Sequence, residues 1–457
     1  MSALAEPVAP ATRVVPLTDV VELNPRADRA ALPDDLEVSF VPMAAVEAGS
    51  GRMDASAMRR FGEVKKGYTT FREGDVLFAK ITPCMENGKM AVAHGLRNGI
   101  GCGSTEFHVL RSRPGVDAHY VYHFVSSARF RAEAAHHMTG AVGQKRVPAA
   151  LFERCVIPLP DLDAQLRVVA ELEKQFSRLD EAVANLKRVK ANLKRYKAAV
   201  LKAAVEGQLA PNEAELARRT GGRVVCANDL LQRILTDHRS RWEGRGRYKE
   251  PAAPRPEWQF PLPEGWVWAT LGHLAYSVKD GPHYSPKYSE IGIPFISGGN
   301  VRPEGIDFST AKFISPDLHA ELSKRCKPDY GDLLYTKGGT TGVARVNTER
   351  REFNVWVHVA VLKLCPNVNP FYVQHALNSE HCYRQAQQYT HGVGNQDLGL
   401  TRMVWITIPI PPRAEQNRIV AEVDRRLSIA RAIEVEVDAN LKRANLMRQA
   451  VLAKAFS

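Results

Sequence analysis

Between Leu166 and Val200 the apolar positions fall at Leu166, Val169, Leu172, Phe176, Leu179, Val183, Leu186, Leu193 and Val200. A second stretch places them at Val420, Val423, Leu427, Ala430, Val437, Leu441, Ala444 and Val451. Steps of three and four residues put each set on one face of a helix with a period near 3.5. Proline-rich lead-ins, IPLPDL and IPIPPR, set the helix starts, because proline is tolerated in a first turn and not inside. Each pattern predicts a helix of about 45 residues, roughly 65 Å long at 1.5 Å per residue. A lone amphipathic helix of that length needs a cover for its apolar stripe. The two are expected to pack on each other, antiparallel.

The two helices are copies. At a constant offset of 251 residues, seven of the fourteen positions 158–171 are identical, among them Pro158 with Pro409, Gln165 with Gln416 and Arg167 with Arg418. Chance gives about one at ordinary residue frequencies. The copying extends upstream. REGDVLFAK (72–80) resembles DYGDLLYTK (329–337), and PGVDAHYVYHFVSS (114–127) resembles PNVNPFYVQHALNS (366–379). The chain is one unit written twice, a domain of mixed texture followed by a long helix.

Within each domain GDVLFAKI and GDLLYTK have strand composition behind a Gly-Asp turn. HYVYHFVSSARFRAEAA and FYVQHALNSEHCYRQAQQY look helical. The boundaries expected are a loose tail at 1–12, a first domain at 13–157, a central spacer helix at 158–207, a helical and proline-rich linker at 208–262, a second domain at 263–408 and a distal spacer helix at 409–457. The fold class is α+β, with two duplicated α/β domains separated by two long helices that form an antiparallel coiled coil.

The copies share a framework and differ in long polar loops. Val142-Gly143-Gln144-Lys145-Arg146 stands where the other copy has Val393-Gly394-Asn395-Gln396-Asp397. One scaffold with two sets of loops suggests two readers of different targets. Gln, Asn, Lys and Arg are the side chains that bond base edges and phosphates. The candidate DNA-binding residues are Lys80, Lys89, Gln144, Lys145 and Arg146 in the first domain, and Lys337, Thr340, Asn395 and Gln396 in the second.

Charge supports a polyanionic partner: 62 Lys and Arg face 50 Asp and Glu, a net charge of +12. Seven scattered cysteines, none at CxxC spacing, argue against a zinc site or disulfide scaffold and for a reducing cytoplasm. No apolar run is long enough to span a membrane, and the first residues carry no secretory pattern. Catalytic signals are weak. NPFY (369–372) is similar to the N-P-P-[YF] signature of amino-methyltransferases but lacks the second proline and a glycine-rich cofactor loop. No G-x-x-x-x-G-K-[ST] occurs. Asp332 and Lys337 are too far apart for a nuclease acid-x-Lys pair, and the histidines form no spaced metal cluster. No catalytic, cofactor-binding or metal residue is assigned.

The duplicated layout, PLPDLDAQLRVVAEL and PIPPRAEQNRIVAEV, LPEGW at 262–266 and GDVLFAKITPCMENGK at 74–89 together resemble the specificity subunits of type I restriction–modification systems, over essentially the whole chain. The second lead-in has the fuller family form, Glu415-Gln416, where the first has Ala164-Gln165. The resemblance implies two target-recognition domains, each reading half of an asymmetric bipartite site in double-stranded DNA. It further implies spacer helices that dock two methyltransferase subunits, and motor-nuclease subunits in the full complex. S-adenosylmethionine, ATP and Mg belong to those partners. The competing expectations are a self-contained DNA methyltransferase or nuclease, and a coiled-coil adaptor without DNA binding.

Overall fold

The computed structural model describes residues 13–26, 28, 30–141, 143–242, 246–392 and 396–456. The chain divides into two compact units, Met1–Arg188 with Val437–Ser457, and Val189–Glu436. The expected tail at 1–12 lies outside the described residues.

In the first unit, strand Arg13–Pro16 pairs antiparallel with Val156–Leu159, so the domain's incoming and outgoing chain lie side by side. A four-stranded antiparallel sheet orders Val21–Leu23, Phe107–Ser112, Val76–Ala79 and Met90–Val92. A second sheet contains a parallel pair, Glu37–Val41 with Ile100–Gly103. Helices Ala118–Ser126 and Ala128–His136 split at Ser127, whose hydroxyl accepts from the Phe130 N–H and caps the second. Phe78, Tyr120, Phe130 and Phe152 form the core. Val169, Leu172 and Phe176 of the central helix, Leu452 of the distal helix and Phe456 just after it join the core.

The second unit repeats this plan. Val267–Thr270 pairs antiparallel with Thr407–Ile410. The four-stranded sheet orders Ala275–Asp280, Val359–Leu364, Leu333–Thr336 and Ala344–Val346. A parallel pair again appears, Ile293–Ile296 with Asn354–Val355. Helices Pro370–Leu377 and Glu380–Tyr389 are capped by Asn369 and Ser379. The same tyrosine anchors each copy: Tyr120 Oη donates to the Pro158 carbonyl at 2.8 Å, and Tyr372 Oη to that of Pro409 at 2.7 Å.

The long helices span Leu162–Val205 and Arg413–Ala455, 44 and 43 residues, close to the length expected. Their polarity is fixed within the second unit. Lys197 pairs with Glu434, whereas Arg418 reaches the Pro211 carbonyl at 3.2 Å and Glu213 at 2.6 Å. Numbers rise on one strand of contacts as they fall on the other, which makes the pair antiparallel. In the first unit Asp180 likewise pairs with Arg448. The buried stripe begins at Val169, since Leu166 is 47% exposed.

One segment differs from expectation. Residues 208–262 contain helices Glu213–Thr220 and Ala227–Ser240, and Leu230 and Ile234 are buried in the second unit's core beside Trp266. The helical pattern was visible as a linker, but its apolar face is covered and belongs to the domain.

Candidate nucleic-acid interface

In both units the candidate loops are sewn together at one point of the sheet. In the first, the Lys80 N–H donates to the Glu106 carbonyl at 2.8 Å, and the Val147 N–H donates to the Lys80 carbonyl at 2.8 Å. Arg146 bridges both Ile81 and Thr139. In the second, the Lys337 N–H donates to the His358 carbonyl at 2.9 Å and the Leu398 N–H to the Lys337 carbonyl at 2.7 Å. Asp397 bridges Gly338 and His391. The equivalences follow from these bonds: Lys80 with Lys337, Glu106 with His358, Arg146 with Asp397.

The structure thus brings Lys80, Gln144, Lys145 and Arg146 together, and Gln144, Lys145 and Arg146 are exposed. Arg146 grips Glu106 through Nε–Oε2 at 2.9 Å and Nη2–Oε1 at 2.8 Å. That guanidinium holds the Glu106 carboxyl below the usual carboxylate range. Lys89 sits in the same loop, but its ammonium donates to the Met43 carbonyl at 2.9 Å, so it is tied inward. In the second unit Thr340 and Gln396 are exposed, whereas Lys337 is buried with its Nζ 2.7 Å from Asp397 Oδ1 and 3.5 Å from Asp280 Oδ2. Lys337, a candidate DNA-binding residue in the sequence, thus forms an internal ion pair. Asn395 lies outside the described residues.

Lys80 lines a cleft of about 430 Å³ with Asn24, Arg26, Tyr68, Thr105 and His108. His108 Nε2 donates to the Val147 carbonyl at 2.8 Å, and Asn24 Nδ2 donates to His108 Nδ1 at 3.0 Å, which orients the ring. Burial pushes that imidazole's pKa below its ordinary value, which favours the neutral ring. Sequence reasoning missed these cleft residues. They come from separate strands and loops and share no motif.

The catalytic look-alikes have structural work. Asn369 of NPFY caps its helix, accepting from the Phe371 N–H at 3.0 Å, and Tyr372 is buried. Asp332 accepts from Lys363 Nζ at 2.6 Å and from the Asp329 N–H at 2.8 Å, which locks the Gly-Asp turn. Asp75 does the same with Arg111 Nη2 at 2.8 Å and the Arg72 N–H at 2.7 Å. Among the described residues no three His, Cys, Asp or Glu side chains are grouped to hold a metal ion. No helix among them is long and apolar enough to cross a membrane.

Residues 263–441 match the family model described as "Type I restriction modification DNA specificity domain". The EcoAI specificity subunit of a type I restriction enzyme from Escherichia coli is 30% identical over 351 residues, 67% of this chain. The EcoEI specificity subunit, also from Escherichia coli, is 25% identical over 90% of this chain. The chain belongs to the type I restriction specificity-subunit family. It spans 58% of the length of the EcoAI subunit and 76% of the EcoEI subunit. The fold of the family is shared as well. A chain from a structure on complex assembly and conformational transition of the type I R-M system superposes with a TM-score of 0.67, 19% identity and 99% coverage of both chains. The HsdS subunit from Thermoanaerobacter tengcongensis gives 0.53 at 18% identity, with 98% of this chain and 97% of that one covered.

Proposed function

We propose that this chain is the address of a type I restriction–modification complex, non-catalytic in itself. Each domain reads one half of an asymmetric bipartite site in duplex DNA. The paired helices set the gap and carry two methyltransferase subunits, to which motor-nuclease subunits add in the full complex. Chemistry with S-adenosylmethionine, ATP and Mg then belongs to those partners, in the cytoplasm.

The observation that carries this reading is one framework built twice with opposite charge at one place, Arg146 against Asp397. A catalytic duplication would keep its reactive groups in both copies. A pair of readers changes them, because each half-site offers different base edges. The amide and cationic side chains at the loop tips, Gln144, Lys145 and Gln396, are of the type that bonds bases and phosphates.

The test is exchange of residues 13–157 for the matching domain of a relative, followed by methylome sequencing. One half of the methylated motif is expected to change. A change in both halves, or in neither, contradicts independent readers. Methylation of DNA by the purified chain alone with S-adenosylmethionine would instead establish it as an enzyme.

A further inference from the structure

The duplicated ladder holds three matched positions: Lys80, Glu106 and Arg146 in the first domain, Lys337, His358 and Asp397 in the second. The lysine is constant and its neighbours are not. In the first domain the carboxylate and the guanidinium satisfy each other, Arg146 with Glu106. The Lys80 ammonium then has no hydrogen-bonding partner among the described residues, and it stands at the wall of the cleft with Arg26 and Tyr68. In the second domain position 358 offers no carboxylate and position 397 no cation. Asp397 therefore takes the lysine itself, at 2.7 Å, with Asp280 as second partner at 3.5 Å. Lys337 is 2% exposed. Asp280, the last residue of strand Ala275–Asp280, also binds Arg325 at 2.8 Å.

We infer that the swap of partners at these positions decides which lysine is offered to DNA. Lys80 makes a phosphate contact in the first half-site. Lys337 is withheld, and Asp397 acts as a positioning residue that holds it. The second domain then grips its half-site with uncharged loop groups, Thr340 and Gln396, so the two half-sites contribute unequally to the salt dependence of binding. This rests on the reading that the chain binds duplex DNA. A buried lysine compensated by two carboxylates has no charge to spend on a phosphate. A lysine at a cleft wall, whose neighbouring carboxylate Glu106 is already bonded to Arg146, releases a counterion when it meets a phosphate.

The experiment uses the full chain assembled with its methyltransferase subunit. The probes are duplex DNA carrying the methylated motif and a scrambled duplex of equal length, titrated over a range of salt. K80M is expected to flatten the slope of log K against log salt by about 0.9, the value of one phosphate contact, and equally on both duplexes. K337M is expected to leave the slope unchanged while lowering thermal stability. The triple substitution D280N/H358E/D397R moves the first domain's arrangement into the second, removes both carboxylates from Lys337 and steepens the slope by about 0.9. An unchanged slope in K80M, or an equal loss in K337M, overturns the inference. So does an unchanged slope in a folded D280N/H358E/D397R protein. If the wild-type complex binds neither duplex, the DNA reading itself falls and takes this inference with it. Binding by the wild type with a flat response to K80M sinks the inference alone.

Discussion

Gln416 Oε1 accepts a hydrogen bond from the Asn369 backbone N–H at 2.8 Å. Its amide nitrogen donates to the Pro411 carbonyl at 2.9 Å. Gln165 does the same in the first copy, accepting from the Asp117 N–H at 2.9 Å and donating to the Pro160 carbonyl at 2.9 Å. Each glutamine ties the start of a long helix to the capping residue of a domain helix. The proline-rich stretch occurs twice because each copy pins one domain to the start of its long helix. Both side chains are buried, so truncation leaves a backbone donor and a carbonyl unpaired. Gln416→Ala and Gln165→Ala are each expected to cost about 2–3 kcal/mol. Calorimetry checks this, and a loss below 0.5 kcal/mol, the scale of a neutral surface change, would remove the pin from the account.

Glu415 has no counterpart in the first copy, where Ala164 stands. Its Oε1 accepts from Trp266 Nε1 at 2.8 Å and its Oε2 from the Glu213 N–H at 3.1 Å. Burial pushes its carboxyl above the usual range in spite of these donors. The folded protein then holds a proton that the unfolded chain has already released. The contribution is present in full below the ordinary value of 4.5 and is lost as pH rises through the raised one. Urea midpoints of wild type and Glu415→Gln, compared from pH 4 to 8, are expected to diverge upward in pH, with the variant the less sensitive. Parallel curves contradict this assignment.

His123 and His375 are equivalent residues with unequal surroundings. His375 Nε2 lies 3.0 Å from Asp424 Oδ1. His123 has both ring nitrogens buried without a partner, and burial lowers its pKa to about 3. Glu173 replaces Asp424 at the constant offset and lines the same cleft as His123 without bonding it. The unfolded chain takes up a proton near the ordinary 6.5, and the folded chain does not until about pH 3. Stability is therefore lost as pH falls below 6.5, at about 1.4 kcal/mol per pH unit. His123→Leu is expected to abolish that acid sensitivity. Equal acid sensitivity in wild type and variant would falsify it.

The spacer helices allow a test of the ruler. The Asp180–Arg448 and Lys197–Glu434 contacts each tie one helix to the other. Four residues inserted between Asp180 and Lys197 therefore need four more between Glu434 and Arg448. One turn is about 5.4 Å, against about 3.4 Å per base pair of a DNA strand. The methylated motif is expected to keep its letters and widen its gap by one to two base pairs. An active complex with an unaltered gap rules out the ruler.

The duplication, the long helices and the loops that differ were all legible in the sequence, because periodicity and offset are local or linear signals. What was illegible depended on partners far along the chain. Lys80 and Lys337 occupy matching motifs, and nothing near them says that one will meet Asp280 and Asp397, 57 and 60 residues away, while the other stays open. Lys89 is lost to a carbonyl 46 residues upstream. The helix Ala227–Ser240 was legible as a helix, but its burial against Trp266 was not, since a proline-rich neighbourhood reads as linker.

The strand pairs Val14–Pro158 and Trp268–Pro409 lay the incoming and outgoing chain of each domain side by side. A domain built this way is genetically portable. Exchange of the residues between the paired strands leaves the sequence of both long helices unchanged. The two proline-rich stretches, identical at seven of fourteen positions, supply related borders for such exchanges. A replaced domain would then be inherited as one block rather than residue by residue.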